Sequence, residues 1–228
     1  MRPSIALRCI CLTFERYSKG SILSRFLDSI LMELDRQDIK VVPIVVGAIS
    51  KDVEAFFGEL LAPFLAREDT FCVVSSDFCH WWVLTLSLDI YVSDFVYDRG
   101  SRFSYTYYYP APPPSEEPGV RLSRTTLPSP TYRIFESISR LDHEAMELLT
   151  LPPSTATDAH THFGDYLART KNTICGRHPI GVLFGALSFL EKENGIQPTV
   201  KWVRYEQSSA CHTIKDSSVS YASAWVHF

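Results

Sequence analysis

Two short apolar runs separated by one amphipathic stripe restrict this chain to few folds. Val41 to Val46 is a β-branched run closed by Gly47, and Phe71 to Val74 is apolar throughout. Both have the length and composition of buried strands rather than helices. Between them Val53, Phe56, Phe57, Leu60, Leu61, Phe64 and Leu65 recur at helical spacing behind Ser50, a suitable N-cap. Strand, helix and strand in that order make a crossover unit, which predicts an α/β protein with a central parallel or mixed sheet flanked by helices. Pro43 cannot donate to a ladder, so its strand belongs at an edge or a bulge, and Pro63 is expected to kink the last turns of the helix.

The remaining segments extend the pattern. Ile22, Leu23, Phe26, Leu27, Ile30, Leu31 and Leu34 form a helical face with Ser21 as cap, whereas residues 1–20 show neither a helical stripe nor strand alternation. Ser101 to Tyr109 is rich in aromatics, and 110–130 is a Pro/Ser-rich stretch that reads as a mobile loop. Ile134, Ile138, Leu141, Ala145 and Leu148 share a helix face that Pro152-Pro153 cannot continue. A short helix is expected over Phe163 to Thr170. A longer one opens at Pro179, carries Ile180, Leu183, Leu187 and Leu190, and closes near Gly195. Strands over Thr199 to Glu206 and Val219 to Val226 end the chain.

With 228 residues, 46% of them hydrophobic and 21% charged, the chain can bury one domain core. A net charge of −4 with dispersed Lys and Arg predicts no nucleic-acid or anionic-membrane partner. Val83 to Val96 is too short to span a bilayer and carries Asp89 and Asp94. Six irregularly spaced cysteines do not make a disulfide framework, so a reducing compartment, cytoplasmic or also nuclear, is expected. No Gly-rich phosphate loop and no nucleophile elbow occurs.

Chemistry concentrates in two stretches. Asn172 to Val182 sets Cys175 just ahead of a helix N-terminus, with Arg177 and His178 beside it; the helix dipole and Arg177 would favour thiolate. The alternative is a buried structural cysteine. Asp77 and His80 follow the carboxyl end of a predicted strand, where ligands gather in open α/β sheets. They could ligate metal, orient a ligand or move protons; equally, Asp77 could satisfy turn amides and His80 could be a core histidine. His160 and His162 read as solvated loop residues, while His143, His212 and His227 lack supporting partners.

Four ordered motifs carry a resemblance: Val42 to Gly47, Val73 to Trp81, Asn172 to Val182, and Asp216 to Ala222. Together they resemble the Memo family, the mediators of cell motility. The resemblance implies a fold similar to class III extradiol dioxygenases and a pocket whose metal, iron or copper, is held by two His and one Cys. On that footing Cys175 matches the Cys ligand, Asp77 and His80 match pocket residues in the catalytic position near the metal, and Arg177 and His178 are further pocket candidates. The family's two ligand His belong to an N-terminal half that this chain lacks, so it reads as an N-terminally truncated member of a single-domain family. Neighbours of that half would then expose apolar faces, with self-association as a consequence.

Residues 82–99 are an insertion, because the family reads from the Trp matching Trp81 directly into the Gly matching Gly100. Trp81-Trp82 requires the codons TGGTGG, which contain a GT donor, and an AGG codon at Arg99 would supply the acceptor; an unspliced intron and a misassigned start for residues 1–20 are the expectation. Three functions follow: a metal-dependent oxidoreductase with an incomplete iron or copper site, a non-catalytic adaptor for phosphotyrosine-containing peptides, or a truncated inactive product. For the adaptor, Arg177, the Gln207-Ser208-Ser209 segment and nearby aromatics would receive the anionic ring.

Overall fold

The computed structural model describes residues 8–13, 32, 39–81, 106–107, 120–121, 133–213 and 215–228. Strand β1 (Arg8–Thr13) is followed by β2 (Lys40–Val45), helix α1 (Lys51–Leu65), β3 (Thr70–Val74) and β4 (His80–Trp81). Next come β5 (Thr106–Tyr107), β6 (Val120–Arg121), α2 (Ile134–Leu148), α3 (Ala156–Thr170), α4 (Arg177–Asn194), β7 (Thr199–Gln207) and β8 (Ser218–His227). The α/β class expected from the sequence is what the chain adopts. The predicted helix over 22–34 apart from Met32, which is helical, the insertion 82–99 and the 110–130 stretch apart from β6 lie outside the described residues.

The strands divide into separate sheets. β2, β1 and β3 are parallel in that order; β4, β8 and β7 are antiparallel; β5 and β6 pair with each other. Pro43 therefore sits on an edge strand, as its missing N–H requires. The strand at the centre of the parallel sheet is β1, from the first twenty residues, where no strand pattern was legible. Its described side chains, Ile10 and Leu12, are both buried and lie on one face of the strand. Leu12 in β1 is fully buried, and the Ser75 N–H donates to its carbonyl at 2.9 Å.

Helix α1 corrects a second expectation. Ser50 caps it as predicted, its hydroxyl accepting from the Val53 N–H at 3.4 Å, and Pro63 is accommodated within the helix. The apolar stripe, however, faces outward: Val53, Phe56, Phe57, Leu60 and Phe64 are exposed, while Glu54, Gly58, Ala62 and Leu65 are buried. The inner face packs on α4 at close range. A Cβ on Gly58 would overlap the Ala186 nitrogen and the Gly185 carbonyl carbon, so only glycine allows this approach. Strands β2 and β3 are also less covered than expected, with Val42, Val45 and Phe71 exposed.

Helix α3 is longer than predicted, starting at Ala156 behind Thr155, whose hydroxyl accepts from the Asp158 N–H at 3.1 Å. That capping pair was readable and overlooked. His160 and His162 are thus helical, and His160 is buried rather than solvated. Helix α4 starts at Arg177, two residues before the expected Pro179, and ends at Gly195 with φ +64°, the left-handed cap anticipated for it.

Leu12, Ala62, Ala145, Leu149, Val182 and Leu187 belong to one continuous core. Phe78, in the link from β3 to β4, packs edge-to-face on Trp202 of β7 with ring centroids 5.7 Å apart, tying the two main sheets together. Because β1 alone pairs with both β2 and β3 among the described strands, Leu12→Ala is expected to lower stability by about 3 kcal/mol. Val42→Ala at the exposed edge should change it by less than about 0.5 kcal/mol; urea melts of the two variants measure the difference.

Candidate functional site

Two loops distant in sequence are laced together at the carboxyl end of β3. The Asp77 N–H donates to Cys175 Sγ at 3.3 Å across 98 positions, and the Cys175 N–H donates back to the Asp77 carbonyl at 3.3 Å. The Gly176 N–H donates to Ser76 Oγ at 3.0 Å, and the His80 N–H donates to Thr173 Oγ1 at 2.7 Å. A Cβ on Gly176 would overlap the Ser76 side chain, so this crossing requires glycine. Beneath the loops, Asn172 is buried; its amide donates to Asp142 Oδ1 at 2.9 Å and to the Tyr166 hydroxyl at 2.8 Å.

This lacing brings Asp77, His80 and Cys175 together: one ligand-type atom from each lies within 4.8 Å of the other two. His80 Nε2 is 3.7 Å from Asp77 Oδ2. His80 and Cys175 are partly buried, whereas the Asp77 side chain is 43% exposed and forms the open side of the cluster. Burial lowers the His80 pKa, with the Asp77 charge opposing, so the neutral imidazole and its lone pair are favoured. The Cys175 thiol is pushed up by burial, against hydrogen bonds from the Asp77, Ser76 and Gly176 groups. The expected thiolate therefore does not arise from the helix terminus alone: desolvation exceeds it, and Arg177 is engaged elsewhere, its Nε donating to His178 Nε2 at 3.3 Å.

The profile of the Memo-like proteins matches residues 24–225. The chain is 38% identical to Protein MEMO1 of Xenopus tropicalis over 192 residues, covering 84% of this chain and 50% of the relative. Protein MEMO1 of Homo sapiens is 36% identical over the same shares, and the MEMO1 family protein C4H3.04c of Schizosaccharomyces pombe is 33% identical over 82% of this chain and 51% of its own length. The chain belongs to the Memo family. It spans about half the length of the curated relatives it matches. Membership is consistent with the dioxygenase-like fold, and no described helix is long and apolar enough to cross a membrane.

Within this Memo chain Arg177 and His178 do not join the cluster. His178 Nδ1 contacts Glu54 Oε1 at 2.6 Å, and His160 Nε2 contacts Glu54 Oε2 at 2.8 Å. Arg177 donates to His178 Nε2, so that nitrogen accepts and the proton on Nδ1 is the one given to Glu54. The two histidines thus meet a buried carboxylate from α1, a partnership the sequence reading missed. Its only trace was an acidic residue, Glu54, on the same helix face as Gly58 and Ala62.

Asp142 was missed as well. It is fully buried and accepts from Asn172, from the Tyr205 hydroxyl at 2.9 Å and from Ser220 Oγ. Burial raises its pKa against those three bonds. Of the remaining cysteines, Cys79 and Cys211 are buried thiols outside any disulfide, and burial pushes the Cys211 thiol up to about 11.

Glu54 yields a pH prediction. Burial pushes its carboxyl upward, but the hydrogen bonds from His160 and His178 prevail and hold it below its ordinary value of 4.5. A depressed carboxylate stabilises the fold above its unfolded pKa and loses that contribution as pH falls through the folded one. Stability should therefore decline below about pH 4.5. Glu54→Gln should cost about 2–3 kcal/mol at pH 7 and flatten the acid limb, as read from urea melts between pH 7 and pH 3.

Proposed function

We propose that this Memo-family chain is a non-haem metal-binding protein of redox type that acts in motility signalling within the cytoplasm, with iron or copper held by Cys175, His80 and Asp77. The convergence of those three ligand atoms within 4.8 Å supports the reading. The donor set fits: sulfur and imidazole suit copper and iron, and a carboxylate on the exposed side completes a mixed S/N/O site. Three protein ligands leave coordination positions open, the pattern of reactive rather than purely structural sites. His160 and His178 are committed to Glu54, so neither supplies the histidine pair that the family resemblance implies.

A metal bound there would supply a one-electron redox centre and a Lewis acid. Cys175 must give up its thiol proton to bind, and the Asp77 N–H already aimed at Sγ stabilises the thiolate that results. His80 offers Nε2, while its backbone N–H on Thr173 Oγ1 holds the residue in place. Asp77, on the solvent side, can ligate or orient an incoming molecule.

The test is metal content after aerobic and anaerobic purification. Bound iron or copper should be near stoichiometric in the wild type and fall at least about tenfold in Cys175→Ala and His80→Ala; full occupancy in both variants would remove the reading.

A surface cavity supports a second reading, the binding of phosphotyrosine-containing peptides. Its volume is about 480 Å³, and Phe135, Glu136, Ser139, Arg140, His143 and Gln207 line it. Its lining holds an aromatic ring, a guanidinium and an amide, groups that suit an anionic aromatic ligand, together with the Glu136 carboxylate, which opposes one. The cation lining this cavity is Arg140. A tyrosine-phosphorylated peptide should bind at least about tenfold tighter than its unphosphorylated form, with the preference lost in Arg140→Ala; equal affinities measured by calorimetry would refute it.

A further inference from the structure

The ligand-type atoms of the candidate site come from two segments that no single element joins. Asp77 lies in the link from β3 to β4 and His80 opens β4, whereas Cys175 lies in the link from α3 to α4. Both segments hang on one side chain. Asp142, on α2, is fully buried, and its two oxygens are shared between them. Oδ1 accepts from Asn172 Nδ2 at 2.9 Å, while Oδ2 accepts from Ser220 Oγ and from the Tyr205 hydroxyl at 2.9 Å.

Two of these bonds lead on to ligand residues. Asn172 precedes Cys175 in the same loop; its Oδ1 accepts from the Thr173 N–H at 2.7 Å, and Thr173 Oγ1 accepts from the His80 N–H at 2.7 Å. Ser220 works from the other side. Its N–H donates to the Cys79 carbonyl at 3.0 Å and its carbonyl accepts from the Phe78 N–H at 2.8 Å, which fixes the backbone between Asp77 and His80. Stability does not account for the carboxylate. Its three side-chain donors are neutral, and a buried charge without a cationic partner costs more than an apolar residue in its place.

We propose that Asp142 is a positioning residue: by holding Asn172 and Ser220 at a fixed separation it sets the spacing of His80 and Cys175 at which a metal is bound. This role presupposes the metal site proposed above. Position, not charge, is the property that matters, which makes Asp142→Asn informative. An amide there keeps one oxygen for Asn172 and gives two N–H donors to Tyr205 and Ser220, whose hydroxyls can accept. The Ser220 hydroxyl proton then turns to the Cys79 carbonyl, 3.3 Å away. Asp142→Ala instead leaves the three donors without their acceptor and the two segments free to shift.

The experiment titrates the metal-free full chain with cobalt(II) alone, which thiolate and imidazole also bind, and follows the absorption of thiolate-bound cobalt well below the thermal midpoint of every variant. Asp142→Ala should weaken binding about 10- to 100-fold, while Asp142→Asn stays within about threefold of the wild type. Leu190→Ala, which opens a cavity in the core about 20 Å along α4 from its start, should lower the midpoint and leave the affinity unchanged. If Asp142→Ala does not fold, Asn172→Ala and Ser220→Ala take its place: each cuts one strut and should weaken binding about tenfold, and wild-type affinity in both would overturn the inference. Equal losses in Asp142→Asn and Asp142→Ala would assign Asp142 a charge effect instead, and an equal loss in Leu190→Ala would show that affinity merely follows stability; either result overturns positioning. Wild-type cobalt binding unchanged by Asp142→Ala would do the same while leaving the metal site standing, whereas a wild type that takes up no cobalt would overturn the metal site and this role with it.

Discussion

A single buried carboxylate organises the helical layer. Glu54 reaches from α1 to His160 on α3 and His178 on α4, so three helices meet at one ionised group. A charge of this kind is tolerated in an interior only when its lone pairs are matched by donors, and here two imidazoles match them. The requirement sets the rotation of α1 about its own axis. Once Glu54 must point inward, Gly58 and Ala62, one and two turns further on, must point inward too. Their small size then permits the close approach to α4, and the large residues between them have nowhere to go but out.

The same layer positions the candidate site. Seated against α1, helix α4 presents its N-terminal loop to the loop that leaves β3, and reciprocal backbone bonds between Asp77 and Cys175 join the two. Asp142 supports the arrangement from below, holding Asn172 from one loop, Tyr205 from β7 and Ser220 from β8. Ser220 in turn donates its N–H to the Cys79 carbonyl, one residue before His80. The ligand-type atoms are thus carried on short loops, but each loop is fastened to regular elements on both sides, which limits the ways the cluster can rearrange.

The family match and the fold do not share the same boundary. The match begins at residue 24, yet β1 at Arg8–Thr13 is the strand on which both β2 and β3 depend. Segments outside the matched region therefore contribute to the sheet whose carboxyl end delivers Asp77 and His80. Sharing 33–38% of their matched residues with the MEMO1 relatives defines the family of this chain, while the half-length coverage leaves the whole proteins' activities as proposals for it.

Much of the architecture was written locally. The β2, α1, β3 order, the Ser50 cap, the edge placement of Pro43, the Gly195 cap and the two closing strands all follow from periodicity and from residues with narrow backbone preferences. The motifs around Asp77, His80 and Cys175 were also legible, as was the family they resemble. What the sequence alone did not determine is which groups face each other. Hydrophobic periodicity identified the stripe on α1 but assigned it to the core, because period cannot report that a buried carboxylate, a glycine and an alanine claim the other side. Likewise Arg177 beside Cys175 suggested an activated thiol, and only the packing showed Arg177 turned to His178 and the thiol desolvated. Local signals determine where elements begin and end; pairing of buried charges and steric access between helices are properties of the assembled fold, and these decided the site.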